Sequence, residues 1–405
     1  MDPRLNPFVP SAGTEPAELT GRSDILDQAD IALARAKKGL HAKSFVAVGL
    51  RGVGKTVILN RVSALGERQG FRVVEIEARE DRRLAALIVP ELRKAILRLD
   101  PLASLGQKSR RALQALKGFM SAVRMTVGEI DITIDLDAEP GLADSGDLDT
   151  DLADLIVTVG EAARDQAAGI LLTIDEIQYL SEADLRSLIR AMHKVAQKRI
   201  PVVLAAAGLP SIVGLSGDAK SYAERLFDFP QVGALDENDT RYALTAPAER
   251  EGVKFTDSAL QAIYASTLGY PYFVQEWGYQ SWNAAAGPVI DLADIQTAET
   301  VALRRLDEGF FRVRLDRLTP SEREYLRAMA ELGAGPHRSR DIATRTNRTT
   351  TDAGALRDGL IRKGMIWSPA YGDTAFTVPL FDDFMKRETP IWSPTPRRSR
   401  PRRNA

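Results

Sequence analysis

Phe45-Val46-Ala47-Val48-Gly49-Leu50-Arg51-Gly52-Val53-Gly54-Lys55-Thr56-Val57-Ile58-Leu59-Asn60 is the stretch from which the rest of the chain is read. Its first four residues are an uncharged apolar run, suited to a buried strand. Val57, Ile58, Leu59 and Val62 give an apolar helical pattern after it. Between the two, Gly49–Thr56 has the spacing G-x-x-x-x-G-K-[ST]. Glycines there let the main chain curl until successive N–H groups aim inward, toward an anion. Lys55 follows as a point charge for the outer phosphates of a nucleoside triphosphate. The Thr56 hydroxyl is a hard oxygen for Mg²⁺, and the positive end of the new helix adds to the field. Gly49, Leu50, Arg51, Gly52, Val53, Gly54, Lys55 and Thr56 are therefore the candidate nucleotide-binding loop, with ATP and Mg²⁺ as its ligands. The bland alternative is a Gly-rich strand-to-helix turn that holds nothing. At average residue usage the pattern arises by chance in such a chain with a probability on the order of one per cent.

A second signal lies downstream in Ile170-Leu171-Leu172-Thr173-Ile174-Asp175-Glu176, a buried strand that ends in adjacent carboxylates. After a phosphate loop, this position suits an acid that holds Mg²⁺ through water, here Asp175, and an acid that activates the attacking water, here Glu176. A strand end that merely caps the next helix is the alternative. Pro201–Gly208 is a further buried strand, but its tip, Ala206-Ala207-Gly208, lacks the polar side chain that would sense a terminal phosphate. Arg225, in Ser221–Phe227, stands where an arginine finger would sit; a surface ion pair with an acid is the competing reading.

Composition sets outer bounds. The 405 residues leave room for two or three domains, and 54 Lys and Arg against 55 Asp and Glu give a net charge of −1, which argues neither for nor against nucleic acid. Without cysteine there are no disulfides or thiolate metal sites, and three scattered histidines make no His-rich centre. No apolar run reaches membrane-spanning length, and the first residues lack a basic region followed by an apolar core, so a cytoplasmic protein is expected.

Taken in order, residues 1–17 are rich in proline and predict an extended N-terminal arm. Residues 18–235 predict an α/β core in which Phe45–Val48 and Phe71–Ile76 begin a parallel sheet. Residues 82–99 predict a helix with Pro90 as a possible kink, Val127–Leu136 alternates like a half-buried strand, and Leu152–Ala163 predicts a helix. The acid-rich stretch from Met125 to Ala163 has no Lys or Arg and reads as a solvated surface rather than a calcium or basic-partner site. Residues 236–312 predict a helical lid, with an aromatic-rich helix after Gly269-Tyr270-Pro271 that suits core packing better than a ligand box. Residues 313–388 predict three helices and a hairpin, the pattern of a winged helix-turn-helix. Its third helix, Thr350–Lys363, would be the groove reader if the module binds double-stranded DNA. Charge in the module is balanced overall, with a local basic cluster at Arg338, Arg340, Arg345 and Arg348. Residues 389–405 predict a disordered basic tail that favours phosphate. DNA binding and a protein-contact or autoinhibitory role stay open for this module.

With these parts placed, the chain resembles the AAA+-related and STAND-type P-loop ATPases of the Orc1/Cdc6-like and archaeal-type groups. The motifs are Leu19-Thr20-Gly21-Arg22, the phosphate loop, Leu171–Leu180, Gly208-Leu209-Pro210, Ser221–Phe227, Gly269-Tyr270-Pro271 and the C-terminal module. The resemblance implies that Arg22 and Pro271 lie near the adenine. It implies an α/β P-loop NTPase fold with a helical lid and a winged helix, in which the bound nucleotide sets the domain arrangement. The expectation is an ATP-binding, slowly ATP-hydrolysing switch, with association with DNA left open. Lys55 and Glu176 would do the chemistry, with Arg225 as finger, and oligomerisation is possible. The alternative is a nucleotide-dependent signalling scaffold with little turnover.

Overall fold

The apolar run that opens the phosphate loop is strand β1 (Ser44–Val48), buried along its whole length in the computed structural model. The structure describes residues 1–11, 13–100, 105–123, 134, 136–214 and 225–394. The strand expected over Val127–Leu136, all but Ile134 and Leu136, lies outside the described residues. So do the first four residues of the Ser221–Phe227 motif and the arginines of the basic tail.

Two compact units make up the chain. One comprises Gly21–Gly49 and Gly54–Gly233; the other comprises Met1–Thr20, Leu50–Val53 and Ala234–Ala405.

The first unit is built on a parallel sheet of β1, β2 (Phe71–Glu77), β3 (Gly169–Asp175), β4 (Val202–Gly208) and β5 (Phe227–Asp228), in the order β2-β3-β4-β1-β5. Parallel strands covered on both faces read as unbroken apolar runs, and β3 and β4 are such runs. Among the described residues, six α-helices belong to this unit: α1 (Ser23–Lys37), α2 (Lys55–Arg68), α3 (Leu84–Leu99), α4 (Gln107–Ala122), α5 (Leu148–Asp165) and α6 (Glu182–Gln197). Pro90 sits inside α3, as the sequence allows.

The sheet order matters most for function. Because β4 lies between β1 and β3, the carboxyl ends of those three strands are neighbours. In open α/β sheets, ligands bind in the crevice outside such strand ends.

Helix α5 begins a turn earlier than the periodicity suggests. Asp151 is buried and accepts hydrogen bonds from the Ser145 N–H at 3.0 Å and the Gly146 N–H at 2.8 Å, so its carboxylate holds the incoming chain. The acid-rich stretch is also less solvated than expected. Asp149 pairs with Arg190 at 2.9 Å, and Asp154 accepts from Lys194 at 2.5 Å, so α5 spends part of its negative charge on the basic face of α6.

The second unit is mostly helical: α7 (Glu237–Arg250), α8 (Asp257–Thr267), α9 (Pro271–Ala284), α10 (Leu292–Arg305), a π-helical turn at Leu306–Phe311 and α11 (Arg312–Leu315). The short strands β6 (Lys254–Phe255) and β7 (Val289–Ile290) pair in parallel. Then follow α12 (Pro320–Ala330), β8 (His337–Arg338), α13 (Ser339–Arg345), α14 (Thr350–Arg362), β9 (Ile366–Trp367), β10 (Asp373–Phe376) and α15 (Phe381–Glu388). The three strands β8-β10-β9 form a small antiparallel sheet. Helix α12 starts with the capping box expected from Thr319-Pro320-Ser321-Glu322: Thr319 and Glu322 cap each other's backbone.

Aromatic side chains tie this unit together. Tyr272 stacks on Phe310 with ring centroids 4.7 Å apart, and Phe311 stacks on Phe384 at 5.2 Å. The aromatic density that the sequence concentrates after Gly269 is therefore core, shared between helix α9 and the C-terminal helix α15.

The proline-rich N-terminal segment does not project freely. Phe8 is 1% exposed and lies so close to Gly278 of α9 that a Cβ there would sit 2.7 Å from the ring. The Trp282 indole N–H donates to Asp2 O at 3.0 Å, and the Asn6 amide donates to Tyr279 O at 3.0 Å. The sequence pattern missed this because a strap that packs through one ring and its backbone has no periodicity.

Candidate functional site

Gly49, the first residue of the phosphate loop, is fixed by its N–H, which donates to Gly208 O at 3.1 Å. The chain then turns through Gly52 (φ 81°) and Gly54 (φ 92°). Gly54 is the residue before α2, and its left-handed conformation is what starts the helix with no capping side chain. No side chain caps the start of α2, and an uncapped helix N-terminus suits an anion. Gly52 also has no room for a side chain: a Cβ would lie 3.0 Å from the Tyr270 ring.

Lys55 is 6% exposed at the first position of α2. Thr56 is next, and its hydroxyl donates to Asp175 Oδ2 at 2.6 Å, across 119 positions of sequence. Asp175 Oδ1 accepts from the Glu176 N–H at 2.8 Å. Burial pushes the Asp175 carboxyl up from its ordinary range. The bonds from Thr56 and from the Glu176 N–H, together with the Lys55 charge, pull the other way.

Glu176 adopts a left-handed backbone (φ 52°), uncommon for a residue with a side chain. This turn sends the chain into the short 3₁₀ segment Ile177–Tyr179. The Gln178 amide donates to Glu176 Oε2, while Gln178 Oε1 accepts from the Leu209 N–H at 3.0 Å. Sequence reading assigned Gln178 no part. Its only signal is a polar residue in an otherwise apolar segment two positions after Glu176.

Asp175 and Thr56 offer hard oxygens side by side, with a lysine near. That donor set fits Mg²⁺, which keeps several waters and binds through one or two protein oxygens plus substrate phosphates. Among the described residues no group of three or more His, Cys, Asp or Glu is placed to hold a metal by itself, so a protein-only metal cage is not what this site offers.

The other candidates are placed as follows. Arg22 is buried, and its guanidinium donates to Gly21 O at 2.9 Å and to Gly233 O at 2.6 Å. It therefore pins the start of this unit to its end. Arg225 is exposed, and among the described residues no hydrogen bond or ion pair joins it to Glu176 or to another acid. Pro271 occupies the first turn of α9, in the second unit, after Gly269. Gly269 (φ 68°) leaves no space for a side chain, because a Cβ would lie 1.9 Å from Leu235 O.

The parallel sheet, the loop and the paired carboxylates define a P-loop nucleotide-binding unit of the AAA type. Residues 18–205 match the AAA ATPase domain family, so this part of the chain is an AAA ATPase domain and binds nucleotide. Residues 308–385 match a domain of unknown function (DUF8462). Among solved structures, the Walker-type ATPase PABY2304 of Pyrococcus abyssi is similar over 91% of this chain and 96% of its own, at 18% identity and a TM-score of 0.55. Cdc6p of Pyrobaculum aerophilum is similar over 96% and 99%, at 15% identity and a TM-score of 0.47. The Orc1 protein of Aeropyrum pernix, solved in complex with DNA, is similar over 92% and 94%, at 15% identity and a TM-score of 0.44. The first of these shares the fold. No curated protein sequence matches the chain. Among the described residues no helix is long and apolar enough to cross a membrane.

Proposed function

We propose that the chain is an ATP-hydrolysing switch. The observation that carries this reading is the meeting of Thr56 and Asp175 at 2.6 Å, beside a buried Lys55 at the start of α2. The phosphate loop Gly49–Thr56 holds the triphosphate, and Thr56 and Asp175 hold Mg²⁺, which neutralises charge on the phosphate oxygens when bound. Lys55 adds a fixed positive charge at the outer phosphates. Glu176 orients the attacking water and takes its proton. Arg22 and Pro271 are the proposed adenine-side contacts, and Arg225 is the proposed finger, which an exposed arginine would supply to a neighbouring copy. The aromatic core shared by α9 and α15 supports a switch, because a lid that responds to nucleotide carries the C-terminal module with it.

The small antiparallel sheet after α12–α14 supports reading the C-terminal module as a winged helix, and its charges favour a protein-contact role over a DNA reader. Arg338 pairs with Asp373 at 3.2 Å, Arg345 with Glu331 at 3.5 Å and Arg348 with Glu324 at 2.8 Å. Arginines already paired within the module release fewer counterions from a duplex than free ones.

Mg²⁺-dependent phosphate release from ATP tests the main reading. Wild type is expected to turn over slowly, with Lys55→Ala and Glu176→Gln reduced by at least about tenfold, in keeping with the loss of a charge-stabilising or proton-accepting group. Equal rates in all three proteins would remove the proposal. Titration with duplex DNA at two salt concentrations tests the module. The scaffold reading expects no binding that depends on residues 316–388, and salt-sensitive binding lost with that segment would reverse it.

A further inference from the structure

The apolar tip of β4 has a polar function that its side chains hide. The peptide unit between Gly208 and Leu209 uses both of its polar atoms within the site. Its carbonyl, Gly208 O, accepts from the Gly49 N–H at the start of the phosphate loop at 3.1 Å. Its N–H, on Leu209, donates to Gln178 Oε1 at 3.0 Å. The other end of the Gln178 amide donates to the Glu176 carboxylate. The partners fix the amide orientation, since a carboxylate needs a donor and an N–H needs an acceptor. Two planar amides thus stand in series, all donating in one sense, from the phosphate loop to the carboxylate. Bonds aligned this way polarise one another.

Sterics hold the relay closed. A Cβ on Gly208 would lie 2.8 Å from Ile177 Cγ2 and 3.0 Å from Gln178 Oε1. Gly208 is thus the residue that lets the β4 tip approach the segment after Glu176. The left-handed Glu176 backbone turns that segment toward β4.

We infer that Gln178 is a positioning residue for Glu176, and that it carries the setting of the phosphate loop to that carboxylate through the Gly208–Leu209 peptide. This rests on the reading of Glu176 as the water-orienting base. Displacement of Gly49 moves Gly208 O, and the same rigid peptide plane moves the Leu209 N–H that anchors Gln178. The polar sensor that Ala206 and Ala207 do not supply as side chains is replaced by main chain and Gln178.

A double-mutant cycle in single-turnover phosphate release tests this, with nucleotide affinity measured in parallel. Gln178→Leu keeps the side-chain bulk and removes both bonds. It is expected to lower the rate about 5- to 30-fold while ATP affinity stays within about twofold, the pattern of an interaction that matters in the transition state. In a Glu176→Gln background the same substitution is expected to change the residual rate by less than about twofold, because Gln178 acts through Glu176. Gly208→Ala, which crowds Gln178, is expected to reproduce the loss of rate with affinity retained. An equal loss from Gln178→Leu in both backgrounds, an unchanged rate, or a parallel loss of affinity would each overturn the inference while leaving the role of Glu176 standing. Should Glu176→Gln itself leave the wild-type rate unchanged, or wild type release no phosphate, the functional reading falls and the inference with it.

Discussion

The N-terminal strap offers a prediction that is independent of nucleotide. Phe8 is almost fully buried against α9 and makes an edge contact with Phe255 at 6.2 Å. Truncating such a ring costs about 3–5 kcal/mol. Beside the ring, the strap is held by hydrogen bonds from Met1 to Ala285, from Trp282 to Asp2, from Asn6 to Tyr279 and Asn283, and from Val9 to Gln275. Each contributes about 1 kcal/mol net, against a cost of about 1–2 kcal/mol for every backbone residue held in place. Without the ring, the balance turns against docking. Phe8→Ala is therefore expected to release residues 1–11 as a local opening while both units stay folded. Limited proteolysis reads this directly, and cleavage within the first eleven residues should quicken at least about tenfold, the equivalent of about 1.4 kcal/mol. Trp282 is 2% exposed and loses its Asp2 partner, so tryptophan emission should move to longer wavelength. Gly278→Ala attacks the same contact from the other side, since the new Cβ collides with the ring. Cleavage of Phe8→Ala within about twofold of the wild-type rate would refute the reasoning.

Three further outcomes are expected. Saturating ATP at 100 times its dissociation constant should stabilise the wild type by about 2.7 kcal/mol, and Lys55→Ala should lose most of that shift in a thermal melt. Arg22→Ala removes the charge-assisted bonds to Gly21 O and Gly233 O and should cost about 2–4 kcal/mol in denaturant unfolding without nucleotide; no loss would mean the pinning is immaterial. Gly269→Ala meets both a left-handed backbone and the Leu235 carbonyl, so a loss of about 2–5 kcal/mol is expected, and recovery of a wild-type melting temperature would contradict it.

Much of the candidate site was legible because its parts are local. Gly49–Thr56 declares itself through spacing, and Asp175-Glu176 through its place at the end of a buried apolar run. What stayed hidden depends on partners distant in sequence or on main chain. Leu209 contributes an N–H, which no side-chain pattern records, and Gln178 gains meaning only when β4 is found between β1 and β3. Read as side chains, Ala206-Ala207-Gly208 is featureless; as main chain, its end joins Gly49 to Gln178 through the Gly208–Leu209 peptide. The docking of the strap was hidden for a similar reason, since Asp2 and Trp282 meet across 280 positions. The C-terminal basic cluster was visible as composition, but the acids that pair with it, Glu324, Glu331 and Asp373, lie on other elements and could not be matched to it from spacing.

The discontinuity of the second unit bears on how the protein is made. Met1–Thr20 belongs with Ala234–Ala405 and so cannot dock until α9 has been synthesised. At about 5–20 residues per second, the first residues wait roughly 15–50 s, during which the β1–β5 sheet can complete itself on the nascent chain. Phe8 spends that interval without its cover from α9. The nucleotide-binding sheet is thus expected to be the first part of the molecule to mature, and closure of the strap among the last.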